Sequence, residues 1–187
     1  MKKQSIIKAD LYRYKDEISS FSVFRGLLVP GFRYVYFLRK SSFYSNKTIA
    51  GVFYRFMLLI HSYFYGFQIN PSTKIGKGLY IGHRGTIIIN SKVIIGECCN
   101  LSPGVTIGQT NRGTKKGTPV IGSKVWIGTN AVLVGSIIIG DNVLIAPNAY
   151  VNIDIPANSI VIGNPAKIIS KEDPTAGYIL SCPEVKK

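Results

Sequence analysis

Beyond residue 68 an aliphatic side chain recurs at every sixth position, and this period restricts the fold more than any other feature of the chain. It runs through Ile69, Ile75 and Ile81, then Ile89, Ile95, Leu101 and Ile107, then Ile121, Ile127, Leu133, Ile139, Ile145 and Val151. Glycine often follows, as at Gly76, Gly96, Gly122 and Gly140, and a small or branched residue stands four places on, as at Thr73, Val93, Val105 and Ala131. An amphipathic helix repeats at about 3.6 residues and a half-buried strand at about two. A period of six suits a solenoid of short strands and tight corners. The aliphatic points inward, and the glycine is expected to permit the backbone of the turn. The fold class is therefore mainly β, a parallel β-helix with a short α-helical region before it.

The beat slips twice. Ile81 to Ile89 spans eight residues and Ile107 to Ile121 fourteen. A solenoid expels extra residues as loops, and loops on a rigid scaffold are where sites are built. The first slip holds His83, Arg84 and Gly85; the second is the polar, basic stretch "QTNRGTKKGT", residues 109–118. If Ile69, Ile75 and Ile81 begin faces one, two and three, the His83 slip lies between faces three and one. The basic loop lies between faces one and two. These corners are separated by a side of roughly 15–20 Å. A neighbouring subunit would bring them together, which favours a symmetric homotrimer with sites between subunits.

Upstream the composition changes. All nine phenylalanines fall between Phe21 and Phe67, and residues 1–68 hold eleven Lys and Arg against three Asp and Glu. Helical patterns predict an N-terminal region over 1–68, with Ser5 and Thr48 as candidate N-caps and Pro30-Gly31 as a helix stop. A cap on the open end of the solenoid is the favoured role, with peripheral contact to an anionic membrane second and a trimer core third. The whole chain carries a formal charge of +14. The most apolar stretch, 51–67, is interrupted by Arg55 and His61, so no spanning helix is predicted. The N-terminus reaches Asp10 and Asp16 without an apolar run, so export is not expected. Cys98, Cys99 and Cys182 make an odd count with an adjacent pair, which reads as no disulfide framework and fits a reducing cytoplasm.

The hexads over roughly residues 66 to 170 resemble the left-handed parallel β-helix acyltransferases. The order of "INPSTKIGKGLYIGH", "GVTIG", "GTPVIGSKVWIGTNAVLVGSIIIGDNVLIAPNAYV" and "IVIGNPAKII" is close to the serine O-acetyltransferase branch. The resemblance implies a domain over 69–170 carrying loop 109–118, a tail over 171–187, and acetyl-CoA as co-substrate with no metal. It makes His83 the general base, needed because a hydroxyl far above neutrality in pKa is a poor nucleophile alone. By position it assigns the acetyl-CoA groove to Gln109, Thr110, Thr129, Pro147 and the segment Gly163, Pro165, Ala166 and Lys167. Arg112, Lys115, Lys116 and Lys167 are the cations available to the phosphates.

Departures from the branch direct the expected acceptor. Gln68 stands where the branch has the aspartate partner of the base; its carbonyl can accept the imidazole N–H but brings no charge. Gly82, Gly117 and Thr118 replace residues expected to hold the amino and carboxylate groups of serine, and "SCPEVKK" lacks the isoleucine that docks into cysteine synthase. The expectation is O-acetylation of a sugar hydroxyl in a surface polysaccharide or its precursor, with L-serine a poor acceptor. Gly82, Arg84 and Trp126 then lie on the acceptor side. Serine O-acetylation for cysteine biosynthesis is the alternative, and a non-catalytic β-helix scaffold a third reading. A γ-type carbonic anhydrase would need three histidine ligands, and the chain has only His61 and His83. No nucleotide-binding domain precedes the repeats, and no nucleic-acid-binding module is recognisable.

Overall fold

The computed structural model describes residues 3–18 and 21–182. Helices α1 (Lys3–Tyr12), α2 (Val23–Gly26), α3 (Pro30–Phe43) and α4 (Ile49–Tyr65) precede a three-sided parallel solenoid. Coil one is β1 (Phe67–Ile69), β2 (Lys74–Ile75) and β3 (Tyr80–Ile81). Coil two is β4 (Ile87–Ile89), β5 (Ile94–Ile95) and β6 (Asn100–Leu101). Coil three is β7 (Thr106–Gly108), β8 (Val120–Ile121) and β9 (Val125–Ile127), and coil four is β10 (Val132–Val134), β11 (Ile138–Ile139) and β12 (Val143–Ile145). The last coil has β13 (Tyr150–Val151), a bridge at Ile155 and β14 (Ser159–Ile162), after which β15 (Lys167–Ser170) returns antiparallel to β14.

The hexad aliphatics stack in register. Face one aligns Ile69, Ile89, Ile107, Leu133 and Val151, while face three aligns Ile81, Leu101, Ile127, Ile145 and Val161. All ten are buried and belong to one core. Both slips leave where the period places them, His83 between β3 and β4 and loop 109–118 between β7 and β8.

The repeated glycine has a different cause from the one expected. Gly76, Gly96, Gly122 and Gly140 do not adopt positive φ. A Cβ on Gly76 would lie 2.6 Å from the Gly96 carbonyl, and one on Gly96 would lie 2.5 Å from that of Gly122. They form a column at one corner where backbone stacks on backbone without room for a side chain. Left-handed corners hold Asn130, Asn142, Asn148 and Asn158, the residue type after glycine that tolerates this conformation best, alongside Gly78, Gly104, Cys98 and Lys124.

The N-terminal helices cap the open edge of coil one, face by face. On face one, the Tyr34 hydroxyl donates to Phe67 O and accepts from Ile69 N, both at 3.3 Å. On face two, Arg39 donates to the carbonyls of Ile75 and Gly76. On face three, Asp10 accepts from Gly78 N at 2.7 Å and Leu79 N at 3.0 Å, and the Tyr14 hydroxyl accepts from Ile81 N at 2.9 Å. Asp10 and Arg39 are themselves paired at 2.9 Å and buried. These side chains satisfy backbone groups that the missing preceding coil would have bonded.

Three local expectations change. Ser5 lies within α1, which already includes Lys3. Pro30 opens α3 rather than ending a helix, since its fixed φ and absent N–H suit a first turn. Cys98 is bonded to Cys182, so the cysteines are not all free and no longer argue for a reducing compartment. Thr48 is the N-cap of α4, accepting from Gly51 N at 3.1 Å.

Candidate active site

His83 sits in the corner after β3, with its side chain exposed. Neither ring nitrogen makes a hydrogen bond among the described residues. The other histidine, His61, is buried in α4, with Nδ1 at 2.6 Å from Met57 O and its ring stacked on Phe37. His83 borders a cavity of about 290 Å³ on face three, together with Gly82, Ser102, Trp126, Thr129 and Tyr178. Part of the wall comes from residues that precede an inward aliphatic and so point outward. Tyr80, Asn100 and Trp126 are aligned there in successive coils. Trp126 was legible at this outward phase; Tyr80 and Asn100 share it and went unread. Tyr178 had no signal at all, because it arrives from the tail.

A second cavity, about 190 Å³, shares Tyr80, Asn100 and Tyr178 with the first and adds Arg13, Asp16 and Glu17. The Tyr80 hydroxyl donates to Glu17 at 2.7 Å. Burial, with the Glu17 carboxylate beside it, pushes the Tyr80 phenol well up. Arg13 donates to Asn100 and lies over the Tyr80 ring. Burial pulls its guanidinium down from the usual arginine range.

Gln68 and His83 line different cavities. Gln68 points outward from β1 and borders another cavity, of about 530 Å³, with Arg55, Ser62 and Asn70 beneath α4. The two side chains make no hydrogen bond to one another among the described residues. Arg84 is turned from the His83 cavity and lies over the Tyr65 ring at 5.6 Å.

The residues assigned to acetyl-CoA divide into two groups. Thr129, Pro147 and the segment Gly163, Pro165 and Ala166 occupy the corner between faces three and one in coils three, four and five. This is the same edge that carries His83 in coil one. Coil-to-coil bonds connect it: Gly104 N to Thr86 O, Asn130 N to Pro103 O, Asn148 N to Thr129 O, and Tyr150 N to Gly163 O. Lys167 opens β15 just beyond it. Gln109, Thr110, Arg112, Lys115 and Lys116 lie on a different edge. Thr110 and Gly117 close the loop by exchanging backbone bonds at 3.0 Å, Gln109 contacts Asn111, and Lys115 bonds Asp154 at 2.6 Å. That exposed ion pair holds the Asp154 carboxyl below its ordinary range.

The comparisons with known proteins bear directly on this arrangement. The model of the bacterial transferase hexapeptide (six repeats) matches residues 118–152. Serine acetyltransferase from Helicobacter pylori is 34% identical over 152 residues, covering 78% of this chain and 85% of the relative. The chain belongs to the serine acetyltransferase family. Serine acetyltransferase from Staphylococcus aureus is 36% identical over 118 residues, covering 63% of this chain and 55% of its own length. Among solved structures, the Neisseria gonorrhoeae enzyme in complex with serine superposes with TM-score 0.71 at 28% identity, covering 90% of this chain and 69% of its own. The Brucella abortus enzyme in complex with coenzyme A gives TM-score 0.75 at 24% identity, covering 90% and 68%.

The solenoid is thus the left-handed β-helix of hexapeptide-repeat acyltransferases, and the chain is an acetyltransferase with acetyl-CoA as co-substrate. The scaffold reading falls with that. The expectation of a polysaccharide acceptor is overturned as well, because the relatives are serine acetyltransferases. It rested on charges missing at Gln68, Gly82, Gly117 and Thr118. Arg13, Asp16 and Glu17 place both signs of charge beside the His83 cavity from the N-terminal region instead.

Proposed function

We propose that this protein transfers the acetyl group of acetyl-CoA to the hydroxyl of L-serine, with His83 as general base. The observation that carries this reading is the position of His83. It is exposed at a cavity and heads the edge along which Thr129, Pro147 and Gly163 follow. Strand spacing of about 4.8 Å puts four coil steps, roughly 19 Å, between His83 and Gly163. An extended pantetheine arm suits such a track, its amides meeting the backbone of the corners. A free imidazole nitrogen of His83 takes the proton of the serine hydroxyl as the oxygen attacks the thioester carbonyl. The tetrahedral intermediate expels the coenzyme A thiolate, which recovers the proton from the imidazolium. O-acetyl-L-serine and coenzyme A are the products. Serine is a zwitterion, and the adjoining cavity offers it the Asp16 and Glu17 carboxylates and the Arg13 guanidinium.

Release of free thiol from acetyl-CoA tests the reading. Added L-serine should stimulate it saturably; absence of stimulation at millimolar serine overturns the assignment. His83→Ala should lower kcat by about 10²–10⁴-fold with acetyl-CoA binding nearly unchanged.

The active unit in this reading is a homotrimer. Loop 109–118 leaves a different edge from His83 and is tied to Asp154 of its own chain, so a neighbour's loop supplies the phosphate cations. The inferred place of work is the cytoplasm, at the inner face of the membrane. Along α4, Ile49, Val52, Phe56, Leu59 and Tyr63 form an exposed apolar stripe, and no Asp or Glu occurs between Glu17 and Glu97. A second copy would oppose cation to cation there, whereas anionic lipid complements the charge. No helix among the described residues is long and apolar enough to cross a membrane. The protein should float with phosphatidylglycerol vesicles, less so in high salt, and Phe56→Ser should weaken this. Equal binding to pure phosphatidylcholine, or a mass by light scattering that Phe56→Ser halves, assigns the stripe elsewhere.

A further inference from the structure

Beyond β15 the chain turns back along face three. Thr175 Oγ1 donates to Asn142 Oδ1 at 2.6 Å, and Asn100 Nδ2 donates to the Tyr178 carbonyl at 3.0 Å. The Tyr178 ring meets Trp126, the single tryptophan of the protein, at 4.8 Å between centroids. Ser181 reaches Asp16, and Cys182 ends the run in a disulfide with Cys98, at the corner before β6. Between these anchors Tyr178 borders both the His83 cavity and the cavity of Arg13, Asp16 and Glu17. The other walls come from the coils and the N-terminal cap. This one is a strap outside the repeat, half exposed at Tyr178, and from Ala176 to Cys182 none of its residues is buried.

We propose that this strap is a working wall of the acceptor site, that Tyr178 sets the fit of the acceptor, and that the Cys98–Cys182 disulfide keeps the wall in place. The proposal rests on the reading of the His83 cavity as the acceptor site. A segment with few buried contacts opens readily unless tethered, and a bond between residues 84 apart is the strongest tether this one has. Its removal needs a dithiol reductant. One thiolate of the reductant attacks a sulfur of the bridge, the S–S bond breaks and the other cysteine leaves as thiolate. The second thiolate of the reductant then resolves the mixed disulfide. Two electrons pass to Cys98 and Cys182, which end as thiols, and the reductant ends as a disulfide. The neighbouring Cys99 does not intercept the exchange. It is buried in the solenoid, and burial pushes its thiol up to about 12, so it stays protonated at neutral pH.

Trp126 gives a direct readout that needs no acceptor. In protein purified without reductant, dithiothreitol should shift its emission to the red and increase quenching by acrylamide. In parallel, KM for L-serine should rise about three- to tenfold while kcat stays within about twofold and KM for acetyl-CoA holds. Cys182→Ser should behave as the reduced form under both conditions. Tyr178→Ala should show the raised serine KM in both redox states, and Tyr178→Phe should retain the redox response. A tether that only stabilises the fold would change the melting temperature and leave the serine KM alone. That result overturns the proposal, as does titration of three thiols in unreduced, denatured protein. If L-serine is no acceptor in either form, the proposed function falls. Emission from Trp126 still decides on the strap: an unchanged spectrum overturns it and a shifted one supports it.

Discussion

At Gly96 a methyl group would meet the backbone of Gly122, and at Gly122 it would meet Asp141 and Gly140. Gly96→Ala is therefore expected to force two coils apart. Overpacking against backbone costs about 1–3 kcal/mol or more, read as a lower urea midpoint with little change in slope. The sequence displayed the glycine phase clearly, but its cause is close approach between residues some twenty positions apart, which no local pattern reveals. Gln68 is the opposite case. Its spacing from His83 matched a dyad, yet its outward position on β1 borders the space beneath α4, and it shares no hydrogen bond with the imidazole among the described residues. His83 itself was legible because an insertion in a strict period has no structural use on its own.

Among the elements, α1, the turn that follows it and α3 act through four side chains that replace an absent coil. Removing Arg39 would leave Asp10 buried without its counter-charge, held only by two backbone N–H groups. Breaking such a pair costs about 3–5 kcal/mol. Arg39→Ala should thus unfold at distinctly lower urea, and hydrogen exchange should accelerate first at Ile75 through Leu79. In the sequence Asp10, Tyr14, Tyr34 and Arg39 looked like ordinary polar residues on aromatic helices. Their meaning appears only against the unpaired edge of β1, β2 and β3. Thr48 could be read because a cap is local, lying three residues from the N–H it accepts. The tail wall could not be read, since Tyr178 reaches Trp126 and Asn100 across most of the solenoid.

For the molecule as a whole, the period fixed which edge carries each insertion, and the consequence is a test of assembly. Mixing His83→Ala chains with chains lacking 109–118 should restore part of the activity, because some junctions receive both intact halves. No recovery in verified mixed trimers would mean that each chain completes its own site. The edge from His83 to Gly163 has a further implication. Each coil contributes one step of about 4.8 Å, and rigid coils allow no slack, so in the proposed reading the coil count would act as a ruler for the donor's arm. Inserting one extra coil between Thr129 and Pro147 would part Asn148 N from Thr129 O, give each a like partner on the new coil, and set the far landmark one notch too distant. With the donor along this edge as proposed, chain length in the solenoid would determine which acyl carrier fits, written in the number of repeats rather than in any side chain.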